Sequence, residues 1–258
     1  MKKFLIITVI LSVLLTLYVF ASNDVVYVTI ANGTLLAERK AVALTDADGD
    51  GAITINDALM LAHDNKDDYG YAKTEYGLSL TKLWGVSADG FGYYLNNGMA
   101  YSLSDTVKNK DEIYAFAYTD SVGFSDTFCF FDSSYTQAVC GEDIKMTLMQ
   151  GAFDESWNYT PAPLANAKIM VNGEKSGIVT DENGNFTVKF DIDGVYKLSA
   201  VKEGANLTPP YAEIEVTQVS DTGDGAVSVI ISVISASLFA CLSSLAAIRS
   251  SKRRKENA

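Results

Sequence analysis

Apolar residues are spaced in three ways along this chain, and each spacing predicts a different kind of segment. At both ends they run on with no charged residue among them. Phe4–Leu17 is apolar behind Lys2 and Lys3 and ahead of Val19-Phe20-Ala21. That is the layout of a secretory signal peptide over residues 1–21, with an uncleaved N-terminal anchor as the alternative. Residues 226–248 carry no charge and are long enough to cross about 30 Å of hydrocarbon as a transmembrane helix. Arg249, Lys252, Arg253, Arg254 and Lys255 follow at once, which keeps the tail 249–258 cytoplasmic. The chain between the two apolar runs is then expected on the extracellular face, anchored to the membrane or wall of a bacterium.

Between the ends the dominant period is two. Val25-Val26-Tyr27-Val28-Thr29-Ile30 reads as a strand, Asn32-Gly33 as a turn and Glu38–Leu44 as the hairpin partner. One segment departs from this period. Asp57-Ala58-Leu59-Met60-Leu61-Ala62-His63 reads as a short helix, with Thr54 and Asp57 three residues apart as its capping box. A polar stretch at Asp64–Gly70 and an apolar one at Leu78–Val86 come next. Then follow the segment Gly90–Gly98, a strand that ends in a tight Asn97-Gly98 turn, a charged turn over 109–112 and a strand at Ile113–Tyr118. Strand, strand, helix, strand, strand is the plan of a β-grasp domain, a mixed sheet wrapped around one helix, expected over residues 25–131.

From 138 to 217 short alternating strands recur with turn signals about every ten residues, as in an immunoglobulin-like β-sandwich. Ile144–Met149, Ala167–Val171, Gly194–Ala200 and Ala212–Val216 are its candidate strands, with a hairpin expected about Asn183-Gly184. Residues 218–225 remain as a linker. The predicted fold class is therefore α+β followed by all-β, and 258 residues leave room for two such modest domains.

Charge narrows the partners. Two of the 20 Lys and Arg residues lie in the leader and five in the tail, while Glu256 is the sole acid of the 32 in either. The stretch between holds 13 basic and 31 acidic residues, a net −18. Bulk charge of that sign argues against nucleic acid and anionic lipid as partners and suits cations. Cys129 and Cys140 lie in the outer portion, where an oxidising compartment would allow a disulfide between them.

The sharpest chemistry is in Asp46-Ala47-Asp48-Gly49-Asp50-Gly51-Ala52-Ile53-Thr54-Ile55-Asn56-Asp57. Carboxylates stand at loop positions 1, 3, 5 and 12, glycine at 6 and a β-branched residue at 8. Calcium (Ca2+) takes six to eight oxygens. Asp46, Asp48 and Asp50 supply side-chain oxygens, Ala52 its carbonyl, Thr54 a contact through water and Asp57 two closing oxygens. Without a cation these carboxylates repel each other; the bland alternative is an acidic surface turn. The loop resembles that of a dockerin repeat, an EF-hand variant that ends in Asp, although a strand enters it and a second repeat is missing from the sequence.

Two further resemblances bear on fold. Tyr94-Leu95-Asn96-Asn97-Gly98 and Lys110-Asp111-Glu112-Ile113 resemble segments of the bacterial β-grasp family related to the C-terminal domain of transcobalamin. Phe91 stands where many members have Trp, and Lys110 where they have Gly. That resemblance implies a small ligand such as a corrinoid. Trp84, Phe91, Tyr93, Tyr94 and Tyr101 are the candidate floor of its groove, against the simpler reading that half of them are core. The segments Thr180-Asp181-Glu182-Asn183-Gly184-Asn185-Phe186 and Gly194-Val195-Tyr196 resemble immunoglobulin-like or carboxypeptidase-regulatory-like modules. Thr222-Gly223 before the C-terminal apolar run is similar to a degenerate sortase signal, leaving wall attachment and plain membrane anchoring both open.

Catalytic signatures are sparse. His63, the lone histidine, is expected as a surface or helix-end residue, so a two-histidine mechanism and a conventional zinc site are excluded. Nucleophile-elbow, Walker-type and dinucleotide motifs do not occur, and no Asp/Glu pair is singled out as a hydrolase dyad. The sequence thus predicts a non-enzymatic, calcium-stabilised surface binding module. A structural or adhesive protein that binds another protein, including cohesin-like docking, is the alternative.

Overall fold

A computed structural model describes residues 24–75 and 77–218. The expected signal peptide, the 226–248 helix, the basic tail and Thr222-Gly223 all lie outside the described residues. Among the described residues no helix is long and apolar enough to cross a membrane.

The N-terminal half is built on a five-stranded mixed sheet. β1 (Val25–Asn32) and β2 (Thr34–Ala43) form a hairpin closed at Gly33, whose φ of +65° suits glycine. Helix α1 (Ile55–Ala62) follows, then β3 (Gly70–Thr74), β4 (Gly77–Lys82), β5 (Phe91–Leu95), β6 (Gly98–Met99) and β7 (Glu112–Ala117). The sheet order is β2-β1-β7-β5-β6, with β1 and β7 parallel at its centre. β3 and β4 pair only with each other, forming a hairpin in a region where the sequence pattern shows only a polar patch and an apolar run. The β5–β6 turn sits one residue earlier than expected: Asn96 and Asn97 take the left-handed positions and Gly98 opens β6.

Alternation along these strands sorts side chains onto two buried faces. Val26, Val28 and Ile30 of β1 and Ile113 and Ala115 of β7 meet Ile55, Ala58, Leu59 and Ala62 of the helix. On the opposite face Ala31, Tyr114 and Phe116 pack with Phe128, and Tyr94, Tyr118 and Phe130 lie against them. Lys40 of β2 reaches the end of α1, donating to the Ala62 carbonyl at 2.6 Å and pairing with Asp64. A cation there opposes the negative end of the helix dipole.

The C-terminal half is a β-sandwich. One sheet has β11 (Ala162–Pro163), β10 (Asp143–Gln150) and β14 (Asn185–Lys189), with β8 (Cys129–Phe131) also on β10. The other has the order β13 (Glu174–Val179), β12 (Lys168–Val171), β15 (Gly194–Val201), β16 (Ala212–Thr217) and β9 (Tyr135–Val139). Their inward residues, among them Leu148, Ile169, Phe186, Leu198 and Ile214, form one core. Two expectations are corrected here. β8, assigned to the N-terminal domain by sequence, belongs to the sandwich through Leu148↔Phe131. β13 and β14 do not close a hairpin about Asn183-Gly184, because each pairs in a different sheet. The Gly184 carbonyl accepts from Leu148 N–H at 2.9 Å, which pins the turn to β10 instead.

Cys129 and Cys140 are free thiols, correcting the disulfide expectation. Cys129 lies opposite Gln150 at one end of β10, and Cys140 precedes Asp143 at the other end. An eight-residue strand separates its ends by roughly 20 Å, far beyond the 4.4–6.8 Å that a disulfide allows between Cα atoms.

The described residues up to Val216 belong to one compact unit, and the halves meet along a continuous seam. Arg39 places its guanidinium 3.6 Å from the Tyr27 ring centroid and bonds Glu112 at 2.8 Å, while Ser134 donates to the same carboxylate. Lys197 pairs with Glu38, and the Tyr114 hydroxyl donates to the Pro209 carbonyl at 2.6 Å. Phe128 stacks on Tyr94 with centroids 3.7 Å apart.

Candidate functional site

The acidic loop leaves β2 and runs directly into α1. Its turns are built by the aspartates themselves. Asp46 accepts from the N–H of Gly49 and Gly51, Asp48 from Asp50, and Asp50 from Ala52. Gly51 has a φ of +92°, the conformation for which glycine was expected at position 6. Oxygens of Asp46, Asp48 and Asp50 come within 4.8 Å of one another. Three of the expected ligands therefore converge on one point.

Asp57 is placed differently. It is 1% exposed, and its two oxygens accept from the N–H of Ala47, Asp48 and Thr54 and from the Thr54 hydroxyl. Burial alone would raise its pKa, but the bonds from Thr54, Ala47 and Asp48 outweigh it and hold the carboxyl below its ordinary 3.8. This carboxylate ties the loop to the start of the helix. The Thr54 hydroxyl is spent on it and points inward. Asn56, fully buried, donates to Asp48 at 2.8 Å and accepts from the Tyr69 hydroxyl at 2.7 Å, linking the acidic loop to the core.

A neighbouring segment completes the helix start. Val107 N–H donates to the Ile53 carbonyl, Ile55 N–H to Asp105 and Asn56 N–H to Leu103. Two of the first-turn amides, which no helix can satisfy internally, thus find partners in the Leu103 and Asp105 carbonyls. Asp105 in turn accepts from the N–H of Tyr101 and Ser102.

His63 caps the far end of α1 and is buried rather than surface-exposed. Trp84 N–H donates to its Nε2 at 2.9 Å, so Nδ1 carries the proton and donates to the Leu59 carbonyl at 2.6 Å. Burial penalises its charged form and lowers its pKa despite the Leu59 carbonyl.

The five candidate aromatics do not form one groove. Trp84, Phe91 and Tyr93 pack on the helix-side core, Tyr94 lies on the opposite face against Phe128, and Tyr101 is 92% exposed. Only Tyr93 and Tyr101 meet, in an open depression of about 660 Å³ that also takes in Leu78 and Ser102. The strand period explains the split, since Tyr93 and Tyr94 are neighbours and must face opposite ways. A second cavity, of about 310 Å³, lies between the halves beside Glu112, Phe130 and Ser134.

Sequence reasoning passed over Phe153 and Trp157, in the loop before β11. Both are exposed, their ring centroids 6.3 Å apart. Their lack of any strand or helix period left them without a signal.

No protein-family model matches the chain, and no curated protein matches it. Solved structures share weak likeness. The fibronectin(III)-like modules of CbhA from Clostridium thermocellum are 12% identical over 55% of this chain and 84% of theirs, with a TM-score of 0.28. The D0-D1 domain of Intimin is 14% identical over 58% and 80%, also at 0.28. The N-terminal four Ig domains of Dscam1 are 13% identical over 76% of this chain and 45% of theirs, at 0.24. Likeness this weak assigns neither fold nor function to the chain.

Proposed function

We propose that this chain is a non-enzymatic binding or adhesive module displayed outside the membrane, with a calcium-stiffened β-grasp head carried on an immunoglobulin-like sandwich. The observation that carries it is the burial of both faces of the head's sheet, one by α1 and the other by the seam to the sandwich. Such a body is a rigid support whose exposed loops are left to make contacts. The parallel pair β1–β7 at the centre of the sheet, with one helix across it, supports the β-grasp reading. His63, held by two hydrogen bonds inside the core, is poorly placed to act as a base on an outside substrate. The flanking apolar runs support display on the cell surface.

Asp46, Asp48 and Asp50 fit a hard cation, and the Ala52 carbonyl adds a fourth oxygen by loop position. The ion would neutralise carboxylates crowded on one turn and so stiffen the entry to α1. Asp57 acts from behind them as a structural tie. The melting temperature of the protein in calcium and in chelator tests the metal. A rise of several degrees with calcium is expected from preferential binding to the folded state, and equal values overturn it. For the ligand, the depression at Tyr93 and Tyr101 is the place for a small molecule such as a corrinoid; titration with cobalamin without a saturable signal removes that version. The dockerin-like loop favours a second reading, docking to another protein, and a pull-down with cohesins that recovers no complex removes it.

A further inference from the structure

We propose that the tip of the 151–160 loop is a stacking platform for a neutral polysaccharide, with Trp157 and Phe153 as the rings on which pyranose units rest. This inference rests on the binding-module reading and adds a site and a ligand class to it.

The loop is built to hold its tip still. Asp154 accepts from the N–H of Ser156 and Asn158 and from the Asn158 side chain, and its carbonyl accepts from Trp157 N–H at 3.0 Å. Below it Phe153 and Tyr159 bridge as in a hairpin, and Thr160 N–H donates to Ala152. Tyr159 then fixes the base to the head. Its hydroxyl donates to the Asn97 carbonyl at 2.9 Å, and its ring packs on Tyr94 and Phe153.

What this frame presents is costly to present. Trp157 has a φ of +63°, a conformation that bulky residues rarely adopt. It is also 83% exposed, so burial of the indole does not offset that strain. An Asn or Gly would serve the turn better. A strained backbone that displays an aromatic ring to water is an outlier that points toward function.

Size and charge select the occupant. Two rings are far too small for a stable protein interface, which needs about 800 Å² from each partner. Residues 151–160 contain Asp154 and Glu155 and no Lys or Arg, within a chain of net charge −12, so anionic lipid and nucleic acid are repelled. A neutral sugar is not. The faces of aromatic rings carry negative quadrupole and attract the polarised C–H groups of a pyranose face. Hydroxyls at the sugar's rim would meet the polar residues Glu155, Ser156 and Asn158 of the same tip. With Trp157 83% exposed the tip stands open, which suits a polymer laid along it better than a monosaccharide enclosed by it.

The test uses the full chain in nanodiscs of zwitterionic lipid, with depletion isotherms on cellulose, xylan, mannan and chitin and co-sedimentation with equimolar phosphatidylcholine–phosphatidylglycerol vesicles. Saturable retention on at least one polysaccharide is expected, with a blue shift of tryptophan emission. Trp157→Asn keeps the left-handed turn, so its melting temperature is expected to be unchanged or higher while binding weakens about ten-fold or more, the scale of an aromatic hot spot. Phe153→Ala is expected to weaken binding less. Retention that survives Trp157→Asn overturns the platform and leaves the binding-module reading intact. Retention on no polysaccharide, or on vesicles alone, also overturns the platform; calcium stabilisation and titration with the other ligands then decide the broader reading separately.

Discussion

Asp46 and Asp57 stand at the two ends of one loop with the same side chain, and the structure assigns them different work. Asp46 faces the converging oxygens of Asp48 and Asp50, whereas Asp57 holds the backbone of the loop and the helix start. Asp46→Ala is therefore expected to lose the calcium-dependent rise and to melt, in calcium, no higher than the chelated parent, since the Gly49 and Gly51 N–H groups also lose their acceptor. Asp57→Ala is expected to melt lower than that even in chelator, by about 1–3 kcal/mol, because it leaves buried N–H groups unpaired. Thermal melts of both variants with and without calcium check this. His63 gives a pH dependence. Its folded pKa lies below the ordinary 6.5, so its contribution to stability is complete above about 6.5 and is lost as the pH falls from there through the lower folded value. A falling melting temperature below pH 6.5, with a smaller slope in His63→Phe, is the expected result. The thiols supply a third check. Burial pushes Cys129 up to about 12, so of Cys129 and Cys140 an alkylating reagent should modify only Cys140 in the native protein, and Cys129 as well after denaturation.

At the scale of elements, β7 explains a pattern that the sequence leaves ambiguous. Ile113-Tyr114-Ala115-Phe116-Ala117 is apolar at every position because the helix covers one face and the aromatic seam the other. Facing it, Gly92 of β5 lies directly under the Phe116 ring, where an added Cβ would come within 2.3 Å of Cζ. Gly92→Ala is expected to cost about 1–3 kcal/mol through overpacking, read as a lower urea midpoint. Leu59→Ala on the helix opens a cavity in the other layer and is expected to cost about 2–5 kcal/mol. Apart from the short β6, β8, β9 and β11, which gave no such signal, most strands and the helix were legible from period and turn residues. The β3–β4 hairpin was not, since it pairs outside the main sheet and lacks a regular apolar face.

For the whole molecule, the seam decides how the two halves behave. Phe128 stacks between residues of the head while its neighbours enter the sandwich, and Arg39 joins β2 to Glu112 and Ser134. Phe128→Ala is expected to replace one cooperative unfolding transition with two, seen by calorimetry, while secondary structure is retained. A parent chain that already melts in two separated steps would show that the seam does not couple the halves. None of this joining was visible in sequence. Tyr94 and Tyr114 read as strand aromatics and Phe128 carried no signal, and their stacking depends on pairings between segments far apart in the chain.

Local chemistry set what the sequence could determine alone: many of the strands from a period of two, one short helix from a capped apolar stretch, the Asn32-Gly33 turn from its residue types, and an acidic loop from ligand spacing. These follow from neighbours within about a dozen residues, where backbone geometry leaves few choices. Tertiary structure decided which carboxylates face each other and which one turns inward. It also split the aromatic candidates between two faces, kept the cysteines apart at opposite ends of β10, and left Trp157 in the open. Those outcomes depend on which strand pairs with which, and pairing is settled by burial of whole faces, a property that no single segment carries.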